Sequence, residues 1–361
     1  MEVSYPSESL VALEIARQPL LWPTTVTRVL AANLSSGLAH RPIIFTGAGT
    51  SGYAGTAIAE AWPGAKAIPT TELLLQSAED IQRAEPAFCA GGVLVSLARS
   101  GDSPESAAVV ERMQRFFPGV RQLAILCNAQ GRLAQIPGVE VICLDARTND
   151  RSLAMTSSFS NLVLGGLALQ HAAKIEESLP DISDRMAGQL SELNAAAVTI
   201  AQACTDRIVV LSSAMRALAL EVSLKVLELT AGHVMGLTET FLGFRHGALC
   251  FLRENTPVIC FASSDPVKRR YEREMLEDLK KSGLGKVALV GDEECRSWPH
   301  EWWVRASAPQ LPDTLRTPFE IPFGQLLAYQ LSVHAKVNPD NPSPEGLITR
   351  VVKRFSIHDE G

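Results

Sequence analysis

The sequence predicts an α/β protein: two tandem, doubly wound parallel-sheet domains behind an N-terminal helical segment. Three observations carry that expectation. Strand-like apolar runs recur at a fixed spacing, several of them lead straight into helical patterns, and the runs are continuous rather than alternating. In the first half they lie at residues 43–45, 93–97, 123–126 and 139–144. In the second half they lie at residues 208–211, 257–261, 287–290 and 302–304. The offsets between matching starts (43 to 208, 93 to 257, 123 to 287, 139 to 302) are 165, 164, 164 and 163 residues. Four matched spacings mark one unit written twice.

Taken in order, residues 1–39 read as a helical segment, folded as a hairpin. The first domain, 40–200, opens with Ile43, whose run passes through GAGTSG into the helical pattern YAGTAIAEAW. The run from Val93 passes through ARSGDSPES into AAVVERMQRFF. A helical stretch from about Phe159 to Cys204 joins this domain to the second, 201–338. There the run from Ile208 leads through SSAM into RALALEVSLKVLEL, and that from Pro257 leads through SSDPVK into RRYEREMLEDLKKSG. Short continuous apolar strands alternating with helices indicate parallel sheets buried on both faces. Residues 339–361 form a tail whose start is rich in Pro and Asn.

A length of 361 residues suits two domains. With 46% hydrophobic and 20% charged residues, a disordered or fibrous chain is excluded. The net charge of −6, without a basic run, argues against a nucleic-acid partner. The longest candidate membrane stretch, Leu162 to Ala173, is broken by Gln170 and His171 and is too short to span a bilayer. The first residues lack the basic start and apolar core of a secretory signal, so the expected location is the cytoplasm. Seven scattered cysteines with no C-x-x-C pair argue against a disulfide framework and a zinc site. No His-Glu-x-x-His is present, and neither metal nor cofactor is expected.

Ligands of open parallel sheets bind beyond the carboxyl ends of the strands. Two loops of the first domain have that placement: Gly47-Ala48-Gly49-Thr50-Ser51-Gly52, and the run from Arg99 through Ser100 and Ser103 to Ser106. Glycines let the backbone approach an anion, hydroxyls donate to phosphate oxygens, and a helix start favours negative charge. A plain strand-to-helix turn is the bland alternative, with Asp102 or Ser103 as cap and Pro104 in the first turn. Both loops on one sheet edge favour a phosphate site. The spacing fits neither the dinucleotide nor the Walker pattern.

The second domain carries the ionisable cluster. Glu221, Lys225 and Glu228 fall at i, i+4 and i+7, on one face of a helix that is otherwise almost wholly apolar. An exposed ion pair is the simple reading of that spacing. On a buried helix, however, such charges are costly unless paired or used, and a buried glutamate is suited to proton transfer. His246, in the loop ETFLGFRHG, is either a near-neutral acid/base or an ordinary surface histidine.

The ordered set of GAGTSGYAG, SGDSPES, the E-x-x-x-K-x-x-E helix and HGAL resembles the sugar isomerase (SIS) domain family, whose domains are flavodoxin-like. It is similar to the isomerase half of glucosamine-6-phosphate synthase. With EIARQPLLW, DRSLAMTSS, IPFGQLLAYQLSVHAKVNPDNP and NPDNPSPEGLITRVV, it looks most like the tagatose-6-phosphate ketose/aldose isomerases, associated with N-acetylgalactosamine use. The resemblance covers about Glu14 to Phe355. It implies that Gly49, Thr50, Ser51, Arg99, Ser100 and Ser103 bind the substrate's phosphate, with Arg99 and Ala98 replacing a neutral polar residue and a serine of the synthase. It implies that Thr156 and Ser157 lie in a loop closing over the sugar. By the same resemblance Glu228 moves the proton between C1 and C2, Lys225 and Glu221 are its helix neighbours, and His246 opens the sugar ring in a partner subunit. A homodimer with shared active sites follows.

Two departures from the synthase are visible. No glutaminase domain precedes residue 40, so ammonia generation from glutamine is not expected. The synthase's C-terminal lysine matches Thr349 or Arg350, with Lys353 a turn away. The implied activity is aldose–ketose isomerisation of a hexose or hexosamine 6-phosphate of the tagatose or galactosamine type. Two alternatives stand beside it. One is galactosamine-6-phosphate deamination with isomerisation; the other is a phosphosugar-binding regulator without chemistry.

Overall fold

A computed structural model describes residues 9–38, 40–352 and 356–358. Its first sheet contains β1 (Ile43–Thr46), β2 (Lys66–Ala67), β3 (Val93–Ala98), β4 (Arg121–Leu126) and β5 (Val139–Cys143), in the order β2-β1-β3-β4-β5. The second contains β6 (Arg207–Ser212), β7 (Met235–Glu239), β8 (Pro257–Phe261), β9 (Lys286–Gly291) and β10 (Trp302–Arg305), in the order β10-β9-β8-β6-β7. Counted from its own first strand, each sheet reads 2-1-3-4-5, the flavodoxin-like doubly wound order. Every pairing is parallel, with Ile43 opposite Val93 in one sheet and Val209 opposite Val258 in the other.

The expected strands are all present, and β1, β3 and β8 are buried along their whole length. Two strands carry no apolar run and escape the sequence reading. β2 is two residues long, and β7 (MGLTE) begins with the exposed Met235. Gly236 suits its place in β7, since a Cβ there would lie 2.9 Å from the side chain of Ser223.

The N-terminal segment is helical, in α1 (Leu10–Ala16) and α2 (Gln18–Ala32), but no hairpin turn parts them. Only Arg17, itself in the right-handed helical region, stands between. Then come α3 (Thr50–Ala61), the short helices α4 (Thr70–Leu75), α5 (Ala78–Ala84) and α6 (Pro86–Gly91), and α7 (Pro104–Phe116). The joining helix α8 (Ser157–Ala203) is interrupted at His171. The remaining helices are α9 (Arg216–Leu229), α10 (Pro266–Ser282) and α11 (Asp313–His334). Among the described residues no helix is long and apolar enough to cross a membrane.

The chain divides into two compact units. One holds Leu20–Pro180 and Glu345–Gly361; the other holds Met1–Pro19 and Asp181–Pro344. In the latter, the motifs near the two chain ends meet: Gln18 Nε2 donates to Gln325 Oε1 at 2.7 Å, and the Asp340 carboxylate accepts the N–H groups of Leu10 and Val11. α9 packs on α11, where a Cβ on Gly324 would strike Val222 at 2.2 Å. The opposite face of that sheet is covered by α10 and the β7–β8 connection. Phe241, Phe244, Met275, Leu276 and Leu279 share one core cluster with Val209, Leu211, Val258 and Cys260. Right-handed connections require this split, because the chain reverses its direction across the sheet after β7.

Candidate active site

Both hydroxyl-rich loops of the first sheet leave the carboxyl ends of β1 and β3, the two strands between which the winding direction reverses. After β1 the backbone turns tightly. A Cβ on Gly47 would lie 2.6 Å from the Ser51 backbone, and Gly49 adopts φ 55°, a left-handed conformation that glycine tolerates. Thr50 and Ser51 are buried and open α3, and the Ser51 hydroxyl lies 3.9 Å from the Met155 sulfur. After β3, Gly101 adopts φ 72° and Ser103 takes the N-cap position of α7, with Pro104 in its first turn. Ser103 does not cap the helix through its side chain; its Oγ lies 2.9 Å from Ser106 Oγ. Ser100 Oγ accepts the Asp102 N–H at 3.2 Å. Among the described residues no carboxylate is hydrogen-bonded to Ser51, Ser100 or Ser103.

Arg99 stands beside these hydroxyls, but its guanidinium is engaged by backbone. Nη1 donates to the carbonyls of Ser152 (3.1 Å) and Leu153 (3.0 Å), and Nη2 to that of Arg350 (2.7 Å). Arg350 in turn donates to the Asp150 carbonyl from Nε (2.9 Å) and Nη2 (2.7 Å), and to the Asn149 side chain. The Asp150 carboxylate accepts the N–H groups of Thr156 (2.8 Å) and Ser158 (2.7 Å) and the Ser158 hydroxyl (2.6 Å). Thr156 and Ser157 are therefore fixed at the fully buried start of α8. The motif DRSLAMTSS by itself assigns no role to Asp150. An aspartate a few residues ahead of Thr-Ser-Ser at a helix start is the capping signal that could have found it. Arg350 occupies one of the positions matched to the synthase lysine and here binds the Asp150 carbonyl and the Asn149 side chain; Lys353 lies outside the described residues.

In the other unit, α9 brings Glu221, Lys225 and Glu228 together. Lys225 Nζ lies 3.4 Å from Glu221 Oε1 and donates to Glu228 Oε2. The side chains of Glu221 and Lys225 are 0% exposed and that of Glu228 24%. An exposed surface ion pair is thus ruled out. A buried ammonium needs anionic partners, and it has two. Only Glu228 reaches solvent, so its carboxylate is the member of the trio that a ligand can meet.

His246 stands apart. The buried rings of Phe241 and Phe244 peg its loop into the core, Arg245 pairs with Asp278 at 2.8 Å, and the imidazole is exposed. α9 runs back along β7, with Thr238 Oγ1 bonded to Ser223 Oγ (2.6 Å) and to the Ala219 carbonyl (3.0 Å). Glu228, nine residues beyond Ala219, lies toward the start of β7, whereas His246 follows the end of β7 on the face shared with α10. No hydrogen bond or ion pair among the described residues joins His246 to the trio. Nor do those residues contain a cluster of three His, Cys, Asp or Glu able to hold a metal ion.

No family model matches the chain. The D-galactosamine-6-phosphate deaminase AgaS of Shewanella sp. is 34% identical over 365 residues, spanning 96% of this chain and 91% of that protein. The enzyme of that name from Escherichia coli is 31% identical, spanning 96% and 94%. The chain belongs to the AgaS family. Among solved structures, this AgaS-family fold is similar to the tagatose-6-phosphate ketose/aldose isomerase from Escherichia coli, with a TM-score of 0.85, 28% identity and 99% of each chain covered. The C-terminal domain of glucosamine-fructose-6-phosphate aminotransferase from Francisella tularensis shares the fold, with a TM-score of 0.75, 16% identity and 93% and 99% covered. The AgaS-family chain thus has the paired sugar isomerase domains implied by its motifs.

Proposed function

We propose that this AgaS-family chain is a phosphosugar aldose–ketose isomerase acting on a hexose or hexosamine 6-phosphate of the tagatose or galactosamine type. The observation that carries this reading is the Glu228 carboxylate, bonded by a buried lysine while its side chain stays partly exposed to solvent. A base serving C1 and C2 in turn must be oriented and accessible, and Glu228 meets both conditions. Lys225 orients it, and Glu221 balances the ammonium from the far side. Gly49, Thr50, Ser51, Ser100 and Ser103 hold the phosphate through backbone N–H groups and hydroxyls at two helix starts. Arg99, Thr156 and Ser157 keep the neighbouring loop and the α8 start in place.

Glu228 removes the C2 proton of the open-chain sugar, giving an enediol or enaminol, and returns it to C1. With a hydroxyl on C2 the product is the ketose. With an amine on C2 the product is a ketimine; water adds to C2, the C–N bond breaks, and ammonia leaves with the ketose phosphate. The names of the curated relatives favour this second course. A phosphosugar-binding regulator would have no use for the buried charges on α9.

His246 opens the ring in a partner's site of a homodimer. Its separation from Glu228 within one unit supports that sharing, as do the large exposed apolar side chains of Leu227, Met235, Leu242 and Leu249 in the same region of sequence. The enzyme works in the cytoplasm without metal or cofactor.

Incubating galactosamine 6-phosphate and galactose 6-phosphate in D₂O, with NMR detection of C1/C2 proton exchange and an ammonia assay, tests the reading. Exchange with either sugar supports proton transfer, and ammonia from the amino sugar identifies the deaminating course. A folded enzyme exchanging neither proton refutes it.

A further inference from the structure

We propose that the loop after β8 is the second copy's counterpart of the phosphate loop, and that the chain fills it permanently with its own anion, the carboxylate of Asp313. The proposal rests on the phosphate reading of the first copy. Ser263-Ser264-Asp265 leaves β8 as Ser100-Gly101-Asp102 leaves β3, each from the third strand of its sheet. Each loop runs into a helix with proline at its start, Pro104 in α7 and Pro266 in α10.

The occupants differ. In the second loop Ser263 Oγ donates to Asp313 Oδ2. Ser264 donates to Oδ1 from its N–H at 2.7 Å and its hydroxyl at 2.9 Å, and Arg316 Nη1 adds a contact at 3.1 Å. Asp313 is 6% exposed and Arg316 2%. Three donors from two consecutive serines and a buried guanidinium around one carboxylate form an anion cradle, not a chance surface contact. The N–H of Ser263 turns to a second buried carboxylate, Glu272, at 2.9 Å. Burial pushes the Asp313 carboxyl up, but the serine donors and Arg316 outweigh it and hold the group ionised below its usual range.

Removing this side chain takes away one negative charge and leaves the serine donors unpaired, while Arg316 keeps its other partner, Glu320, at 3.3 Å. The ligand class that fits is therefore a small monoanion of carboxylate size. With Asp313 in place, the second sheet takes no sugar phosphate, and each chain holds a single phosphate site despite its duplication.

Thermal unfolding of the full chain in sodium formate, against sodium chloride at equal ionic strength, tests this. Asp313→Gly is expected to unfold roughly 10 °C below wild type in chloride, as for a broken buried ion pair. It should recover about half of that loss in formate, while wild type unfolds at the same temperature in both salts. A folded Asp313→Gly protein indifferent to formate overturns the proposal. Asp313→Asn keeps the volume and decides the matter if the glycine variant does not fold. It should be less stable than wild type and unmoved by formate; wild-type stability would show that no anion is required. Equilibrium dialysis with inorganic phosphate separates this proposal from the one it rests on. One phosphate per wild-type chain is expected, and two would overturn the proposal. None would instead overturn the phosphate reading of the first copy, leaving the formate experiment to judge Asp313.

Discussion

Asp150 and Asp313 follow the starts of β5 and β10 at the same distance, 150 − 139 and 313 − 302 both being 11 residues. In the first copy the carboxylate turns onto the backbone of its own helix start, at Thr156 and Ser158, and the hydroxyls after β3 carry no carboxylate. In the second copy it turns onto the serines after β8. One backbone plan thus leaves the loop after β3 without a carboxylate and places one on the loop after β8. If the first loop binds phosphate as proposed, a duplicated fold need not duplicate its site; the aim of one side chain is enough to separate the two edges.

The widest gap between the two copies lies in their chemistry. Glu228→Gln preserves shape but removes the base, so kcat should fall about 10²–10⁴-fold while KM changes little, as steady-state kinetics would show. Retained C1/C2 exchange near the wild-type rate would move the base elsewhere. Next comes the contrast between the loops. Charge-assisted hydrogen bonds to a phosphate contribute about 1.5–3 kcal/mol each, so Ser51→Ala with Ser100→Ala should raise KM at least ~100-fold. Ser263→Ala with Ser264→Ala should lower Tm and leave KM unchanged. If both pairs raised KM alike, the distinction between open and filled loops would be lost.

A third experiment asks whether the second unit's histidine serves another chain. Inactive Glu228→Gln and His246→Ala chains, mixed and exchanged in equal amounts, should recover about a quarter of wild-type activity, since half the dimers are hybrids with one complete site. No recovery after verified exchange would mean that each site is built within one chain.

The smallest effect concerns Glu272, beside the filled loop. Burial pushes its carboxyl from 4.5 up to about 7. In the unfolded chain it ionises above about 4.5, while in the fold it keeps its proton until about 7. Stability is therefore lost as pH rises through that interval, by up to about 3 kcal/mol. Glu272→Gln should be more stable than wild type above pH ~7 and gain little below pH ~4.5, as read by denaturant midpoints. An equal shift at both pH values would locate the effect in packing instead of charge.

Sequence reading was most successful where burial was complete. β1, β3 and β8 are continuous apolar runs, and those runs with their spacing revealed the duplication. β2 and β7 were invisible because edge strands this short or this exposed need no apolar run. On α9 the spacing of Glu221, Lys225 and Glu228 and the apolar character of the helix were legible, but the full burial of Glu221 and Lys225 beside a part-exposed Glu228 was not. Burial depends on α11, more than eighty residues further along the chain. The roles of Asp150, Arg350 and Asp313 were hidden for the same reason. An aspartate that caps, one that fills an anion cradle and one that merely faces water look alike until the fold supplies their partners. Arg99 is a further case: its place beside the hydroxyl-rich loops was legible, but its bonds to the carbonyls of Ser152, Leu153 and Arg350 were not.

The contact between Arg350 and Asp150 also sets a timetable. At a synthesis rate of about 5–20 residues per second, the 200 residues between them take roughly 10–40 s to emerge. The five strands of the first sheet leave the ribosome long before the arginine that ties down their loop. Throughout that interval the loop is without its clasp, and the contact waits until Arg350 itself has been made.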